Sequence, residues 1–276
     1  MGMLNKDDGW RLPDAMWAQL EPLLPPRKSH PLGCHKPRVS GRAAMNAIFY
    51  VLRTGAQWNS LDATGICSCS SAYRRFREWV DAGVFEQCWR LGLLAVDALD
   101  GIDWSWLAMD GAMAKAPLGG EKTGPNSTDR GKGGSKRSVL TEAHGIPISL
   151  VIDGANRHDM RLAGDTLSAL MLERPEPTAA HPQGLCLDQG YGYAEVRETV
   201  AQFGFTLHLH ARGEEAWRIK REASFRARRW VVERTHSWMN RFRRILVRWE
   251  KLATTYLAFL HIACAVITWR AAGLLK

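Results

Sequence analysis

The pattern of apolar residues changes near Asp100, and this change limits the possible folds more than any other feature of the chain. Before this point the apolar residues recur at helical spacing, as in residues 41–53. After it, residues 106–115 predict a strand, and residues 137–142 and 146–152 predict a hairpin. Strands and helices then alternate. We therefore expect an α/β fold, a mixed sheet flanked by helices, preceded by a small all-helical N-terminal domain.

The same change predicts two domains, residues 1–99 and residues 100–276. In the second domain a loop rich in Gly and Lys, residues 116–136, follows the first strand. Asp159 is interpreted as the N-cap of a helix. The remaining elements are predicted as helices over 159–172, 194–203, 223–246 and 254–274, and strands over 185–187 and 205–209.

The N-terminal domain contains one basic helix with aromatic residues. Arg74, Arg75 and Arg77 lie beside Tyr73 and Phe76 within a single predicted helix. Short helices with a basic, aromatic member are typical of a helix-turn-helix-like DNA-binding module. A plain helical bundle fits the same pattern of apolar residues.

Three acidic residues in the second domain form a candidate metal site. Asp110 and Asp188 each end a short apolar run that predicts a buried strand, and Glu233 lies in a helical pattern dense in arginine. Mg²⁺ binds few protein ligands, mostly carboxylates, and leaves positions for phosphate oxygens. Two such ions can stabilise both oxygens of an in-line displacement at phosphorus. Taken singly, the aspartates could be turn residues and Glu233 could belong to a solvated ion-pair face.

The positive charge of the chain favours a polyanionic partner. Lys and Arg exceed Asp and Glu by nine, and the pI is about 9.5. A helix continuing to residue 246 would place Arg226, Arg229 and Arg244 on the same face as Glu233. Arginine on such a face can bind phosphates bidentately. The candidate DNA-binding residues are Arg74, Arg75, Arg77, Lys115, Lys132, Lys136, Arg157, Arg226, Arg229, Trp230, Arg243 and Arg244.

At these residues the chain resembles the DDE transposases of bacterial insertion sequences, specifically the insertion sequence 5 group. The resemblance extends over most of the chain and is carried by residues 58–79, 107–111, 187–191 and 229–244. It implies a ribonuclease-H-like catalytic domain in which Asp110, Asp188 and Glu233 hold two Mg²⁺ ions, with Mn²⁺ as a substitute. The chain has Arg226 and Asn240 where related enzymes often have Tyr and Lys.

The resemblance also implies partners: double-stranded DNA, as terminal inverted repeats and as target, bound by a homodimer. No apolar segment follows residues 1–8, and residues 256–269 predict a buried core helix and not a membrane span. We expect a cytoplasmic bacterial protein that associates with the nucleoid when bound to DNA. A structure-specific nuclease of the same fold, or a non-catalytic DNA-binding regulator derived from a transposase, are the alternatives to a transposase.

Overall fold

The structure is a computed structural model that describes residues 9–26, 38–210 and 230–275. In the described part of the chain four α-helices precede residue 100, and Ser40 caps the second by accepting a hydrogen bond from the Ala43 amide at 3.2 Å. That helix ends at Gly55, whose φ of 73° is the left-handed conformation that glycine adopts most readily. The helices are α1 (Asp14–Leu20), α2 (Gly41–Thr54), α3 (Cys69–Asp81) and α4 (Val84–Leu99).

The rest of the described chain forms a mixed sheet and four more helices. The strands are β1 (Trp106–Lys115), β2 (Gly124–Pro125), β3 (Gly133–Thr141), β4 (Pro147–Gly154), β5 (Gly184–Asp188) and β6 (Thr206–His210). The helices are α5 (Asp159–Ser168), α6 (Ala194–Gln202), α7 (Trp230–Met239) and α8 (Ala253–Ala271). Short 3₁₀ turns span Glu21–Leu23, Trp58–Ala63, Gln189–Tyr191 and Arg243–Ile245.

The sheet topology confirms the predicted mixed sheet. β3 pairs antiparallel with β1 on one side and with β4 on the other, while β1, β5 and β6 run parallel to one another. The short β2 pairs with the beginning of β3, so the predicted loop 116–136 contains a strand and part of another. At its open end the hairpin is longer than the apolar runs predict, because β3 begins at Gly133 and β4 ends at Gly154. This is the architecture expected of a ribonuclease-H-like domain.

Helices cover both faces of the sheet, as the alternation along β3 shows. The Lys136 side chain forms an ion pair with Asp159 of α5, whereas the neighbouring Arg137 donates a hydrogen bond to Asn240, which follows α7. Adjacent residues of a strand point to opposite faces. Therefore α5 covers one face of β3, and α7 covers the other.

The N-terminal helices and the sheet domain share a continuous apolar core. α4 packs along α8, and the Phe76 and Phe259 rings stack with their centroids 4.6 Å apart. The indole of Trp89 donates a hydrogen bond to the carbonyl of Pro147 at 3.1 Å. α8 is buried along most of its length, as predicted for residues 256–269. Across the described segments, no helix is both long and apolar enough to cross a membrane.

Several helix boundaries differ from the prediction. The predicted helix 223–246 ends at Met239, and a 3₁₀ turn at Arg243–Ile245 follows. The helix therefore does not extend from Glu233 to Arg244, and the predicted shared face is wrong at its C-terminal end. The predicted helix 159–172 ends at Ser168, and His158, not Asp159, is its N-cap. Arg226 and Arg229 lie outside the described residues.

Candidate metal centre

The first two acidic residues lie at the same level on neighbouring parallel strands. The last paired positions of β1 and β5 are Ala108 and Cys186. Asp110 and Asp188 each follow two residues later, so both side chains point to the same face of the sheet. In each carboxylate Oδ1 accepts the amide of the next residue, at 2.8 Å for Asp110 and 2.7 Å for Asp188. These bonds orient the carboxylates and leave Oδ2 as the atom available for a cation.

Glu233 approaches the two aspartates from α7. This helix packs against β1 and β3 on the face to which Asp110 points. Glu233 lies on its exposed side, and the charges of Glu233 and Asp188 both raise the pKa of Asp110. The structure thus brings the three predicted carboxylates within electrostatic range of one another. Within the described residues, no three His, Cys, Asp or Glu side chains converge closely enough to form a complete metal site.

A fourth carboxylate, which sequence reasoning did not assign to the site, lies behind Asp110. Oδ1 of Asp159 lies so close to Gly111 that it would clash with a Cβ at that position. Only glycine fits there, because any side chain would displace the carboxylate. Lys136 Nζ neutralises Asp159 at 3.0 Å and donates a hydrogen bond to the carbonyl of Arg157 at 2.9 Å. The polar residues after β4 indicated that this segment could belong to a site. The position of Asp159 behind β1 could not be predicted, because it depends on how the sheet forms.

The surrounding charges oppose ionisation of Asp110. The pKa of Asp110 is raised from 3.8 to about 6, mainly by burial and then by the charges of Asp159, Glu233 and Asp188, while the hydrogen bond from the Gly111 amide opposes the rise. Hard carboxylate oxygens that repel one another are the donors that a divalent cation stabilises. Mg²⁺ usually keeps several waters and binds one or two carboxylates, so two aspartates at one level fit such an ion without a closed cage.

The shifted pKa predicts that Asp110→Asn stabilises the metal-free protein at high pH. The pKa of Asp110 is higher in the folded protein than in the unfolded chain, so ionisation of Asp110 destabilises the fold. This destabilisation is fully present above pH 6 and is lost as the pH falls below about 4. At about 1.4 kcal/mol per pH unit, we expect Asp110→Asn to raise the free energy of unfolding by up to ~3 kcal/mol at pH 8. Urea unfolding in EDTA between pH 4 and 8 measures this.

The matched control is Asp165→Asn, since Asp165 is an exposed carboxylate on α5. We expect this variant to follow the wild-type stability within about 0.5 kcal/mol at every pH. An Asp110→Asn protein that is less stable than wild type at pH 8 would contradict the predicted destabilising charge.

A buried cation lies beneath the carboxylates on the same face. Arg137 is 4% exposed, and its guanidinium donates to Oδ1 of Asn240 at 2.6 Å. Burial, and after it the charge of Arg137, lower the pKa of His236, one turn after Glu233, to about 3. His236 is therefore neutral at physiological pH and does not add a positive charge beside Asp110.

The predicted N-terminal arginines differ in their availability. Arg74 is exposed on α3. Arg75 forms an ion pair with Glu78 at 2.6 Å, and Glu78 also pairs with Arg38 at 2.8 Å. Arg77 is half-buried. Of the three, Arg74 is the one whose charge is presented to solvent without an acidic partner among the described side chains.

The predicted basic residues around β1 and β4 are exposed but mostly paired. Lys115 and Lys132 lie 3.3 and 3.9 Å from carboxylate oxygens of Asp129. Arg157 lies 3.6 Å from Asp153. Such exposed pairs are weak, and a phosphate can replace the carboxylate at little cost.

Two predicted residues are not presented to solvent. Lys136 is buried in its contact with Asp159. Arg244 is 7% exposed, because its Nε donates to Glu250 at 2.8 Å and its Nη1 donates to the carbonyl of Ala56 at 3.3 Å. Its predicted position on the Glu233 face is incorrect, since the helix ends before it. Its neighbour Arg243 is exposed.

Trp230 lies on the exposed side of α7, 46% exposed. The guanidinium of Arg234 lies between Trp230 and Trp238, 4.6 and 4.8 Å from their ring centroids. Arg234 also donates a hydrogen bond to the carbonyl of His144. These contacts fix an aromatic and cationic surface one turn from Glu233.

In comparisons with known proteins, the chain is similar to transposases and to proteins of insertion sequence elements. Residues 12–89 match the family model described as "Putative transposase of IS4/5 family", and residues 105–268 match the model "Transposase DDE domain". The "Putative transposase for insertion sequence element IS402" of Burkholderia cepacia is 34% identical over 154 residues, covering 55% of this chain and 70% of that protein. A 16.2 kDa protein of the same element is 38% identical over 116 residues, covering 40% of this chain and 77% of its own length.

Among solved structures, the chain is similar to the Mos1 mariner paired-end complex with Mn. The identity is 11%, the TM-score is 0.28, and 80% of this chain and 81% of that chain are covered. This likeness is too distant to bear on the chemistry of the chain.

Proposed function

This chain belongs to the transposase DDE domain family and is a DNA transposase, and from that premise we propose that Asp110, Asp188 and Glu233 are its catalytic carboxylates. The observation that carries this assignment is the register of β1 and β5, which places the two aspartates side by side. The electrostatic coupling of Asp110 to Glu233 supports the third position.

Enzymes of this family depend on divalent metal ions, and the donor set fits two Mg²⁺ ions, for which Mn²⁺ can substitute. Asp110 and Asp188 would hold them through Oδ2, and Glu233 would complete the site from α7. When bound, two divalent ions activate an attacking oxygen and stabilise charge on the leaving oxygen of a phosphodiester. Asp159 is paired with Lys136 and is not among the proposed ligands.

The partners follow from the same proposal. Residues 1–99 would recognise the terminal inverted repeats, with Arg74 as the most available basic residue, and residues 100–276 would perform the chemistry on these ends and on target DNA. Lys115, Lys132, Arg157, Trp230 and Arg243 are exposed and would contact the DNA backbone. A homodimer on paired DNA ends, acting in the bacterial cytoplasm at the nucleoid, is the corresponding assembly.

A strand-joining assay tests the proposed function. Purified protein is incubated with a labelled duplex carrying one end of its element, a supercoiled target plasmid and Mg²⁺. We expect cleavage at the end of the element followed by a covalent product joining the labelled strand to the plasmid. Cleavage without joining would support the structure-specific nuclease. DNA binding without either reaction, in Mg²⁺ and in Mn²⁺, would support the non-catalytic regulator.

A further inference from the structure

A second cationic site lies away from the carboxylates, where three helices end. A pocket of about 290 Å³ opens there between the end of α2, the turn after α7 and the end of α8. Its lining combines three guanidinium groups with apolar walls. The lining residues are Arg53, Arg241, Arg270, Trp238, Phe242, Ile267 and Ala271.

Each arginine has a local reason for its position. Arg53 and Arg270 lie in the last turns of α2 and α8, and Arg241 lies two residues beyond the end of α7. A cation near a helix C-terminus is stabilised by the helix dipole. This effect explains each arginine singly, but it does not explain why three of them line one pocket.

The three charges repel one another without an internal counterion. The pKa of Arg53 is lowered by burial and then by the charges of Arg270 and Arg241. Among the described side chains, no carboxylate forms an ion pair with any of the three, and the guanidinium groups of Arg241 and Arg270 donate no hydrogen bond. Arg53 is half-buried, whereas Arg241 and Arg270 are exposed, so water screens part of the repulsion and a bound anion would relieve the rest.

One of the arginines is held in a fixed orientation. Nε of Arg53 donates to the carbonyl of Gly9 at 3.0 Å, and its guanidinium lies 5.0 Å from the centroid of Phe242. Its terminal nitrogens are therefore positioned before any ligand binds. A preorganised guanidinium loses less entropy for each hydrogen bond that it forms to an anion.

We propose that this pocket binds a phosphate group of the DNA backbone outside the catalytic centre. Three guanidinium groups match the charge and the several acceptor oxygens of a phosphate. The apolar walls formed by Trp238, Phe242 and Ile267 provide a surface against which a deoxyribose packs. The proposal rests on the proposed function for its choice of DNA as the source of the phosphate.

The pocket lies on the same helix as Glu233 but on another side of it. Trp238 lies five residues after Glu233 on α7, about 7.5 Å along the helix axis and roughly 140° around it. A phosphate bound there belongs to DNA that flanks the reacting bond. Because Arg53 belongs to α2 and the other two arginines to the catalytic half, the same phosphate would link the N-terminal helices to the helices around the carboxylates.

The test compares the double variant Arg241→Gln/Arg270→Gln with a matched control, Arg90→Gln/Arg197→Gln. The control removes the same charge from exposed positions on α4 and α6. DNA binding is measured in EDTA over a series of NaCl concentrations, so that no catalytic step contributes. We expect the log–log salt slope of the pocket variant to fall by about one unit, for one lost phosphate contact, and that of the control to stay at the wild-type value. Equal slopes in both variants would overturn the proposal.

Thermal unfolding without DNA separates a binding role from a structural one. Inorganic phosphate is compared with chloride at equal ionic strength. We expect phosphate to raise the Tm of wild type and control but not of the pocket variant, which without phosphate is at least as stable as wild type because a repulsion is gone. A pocket variant with a lowered Tm and an unchanged salt slope would assign the arginines a structural role and overturn the proposal.

The chain's own Asp7 and Asp8, which precede Gly9, provide the remaining control. If Asp7→Asn/Asp8→Asn gains a phosphate-dependent rise in Tm that wild type lacks, the pocket binds an internal carboxylate and the proposal fails. This measurement is independent of strand joining, so failure of the proposed function and failure of the pocket are distinguishable.

Discussion

Asp188→Ala should abolish DNA cleavage while leaving DNA binding unchanged or tighter. Residues that only support a metal ligand typically contribute 10- to 100-fold, so loss of a ligand itself should exceed ~100-fold. Binding is kept because the substitution removes a negative charge that repels the phosphate backbone. Cleavage of a labelled end duplex in Mg²⁺, with binding measured in parallel by gel shift, gives both quantities.

Asp110→Ala and Glu233→Ala should have the same effect, and Asp165→Ala provides the control. Asp165 is an exposed carboxylate on α5, so its loss changes the net charge equally without reaching the site. Full cleavage by the Asp188→Ala protein in Mg²⁺ would remove this residue from the catalytic set. Loss of cleavage by Asp165→Ala would show that net charge, and not the three positions, determines activity.

Glu250→Gln should cause a large loss of stability. The carboxylate of Glu250 and the guanidinium of Arg244 are only 6% and 8% exposed, and the pair is 2.8 Å apart. Removing one charge of a buried pair leaves the other uncompensated, which costs about 3–5 kcal/mol. We expect the Tm to fall by roughly 10 °C, measured by calorimetry or circular dichroism.

The control for this prediction is Asp153→Asn. Asp153 pairs with Arg157 at 3.6 Å, but these side chains are 32% and 54% exposed, so its loss should cost less than about 1 kcal/mol. The double variant Arg244→Met/Glu250→Leu should recover most of the stability, because it removes both buried charges. A Glu250→Gln protein as stable as Asp153→Asn would contradict the buried pair and return Arg244 to the candidates for DNA contact.

The positions of most strands and of the two aspartates could be predicted from the sequence. Each of Asp110 and Asp188 ends a run of apolar residues long enough for a buried strand, and apolar periodicity is a local property of the chain. Glu233 was found through the arginine-rich helical pattern around it. The resemblance to DDE transposases of the insertion sequence 5 group connected the three positions, and the family match confirms that resemblance.

The end of α7 could not be predicted in the same way. Residues 240–246 continue the helical spacing of apolar residues, with Phe242 and Ile245 both buried. In the structure they are buried by a 3₁₀ turn that packs on α2, and Arg244 turns inward to reach Glu250. Contacts with a helix almost two hundred residues away outweigh the local preference, and no local pattern encodes them.

The sequence by itself determined where most strands and helices form and where a carboxylate ends a run of apolar residues, because periodicity and local turn chemistry depend on neighbouring residues. The tertiary structure alone decided that Asp110 and Asp188 lie at one level, that Asp159 packs behind Gly111, and that three arginines line one pocket. These arrangements depend on strand register and helix packing. They arise from contacts between residues far apart in the chain. Such contacts stabilise the protein only when the core has formed.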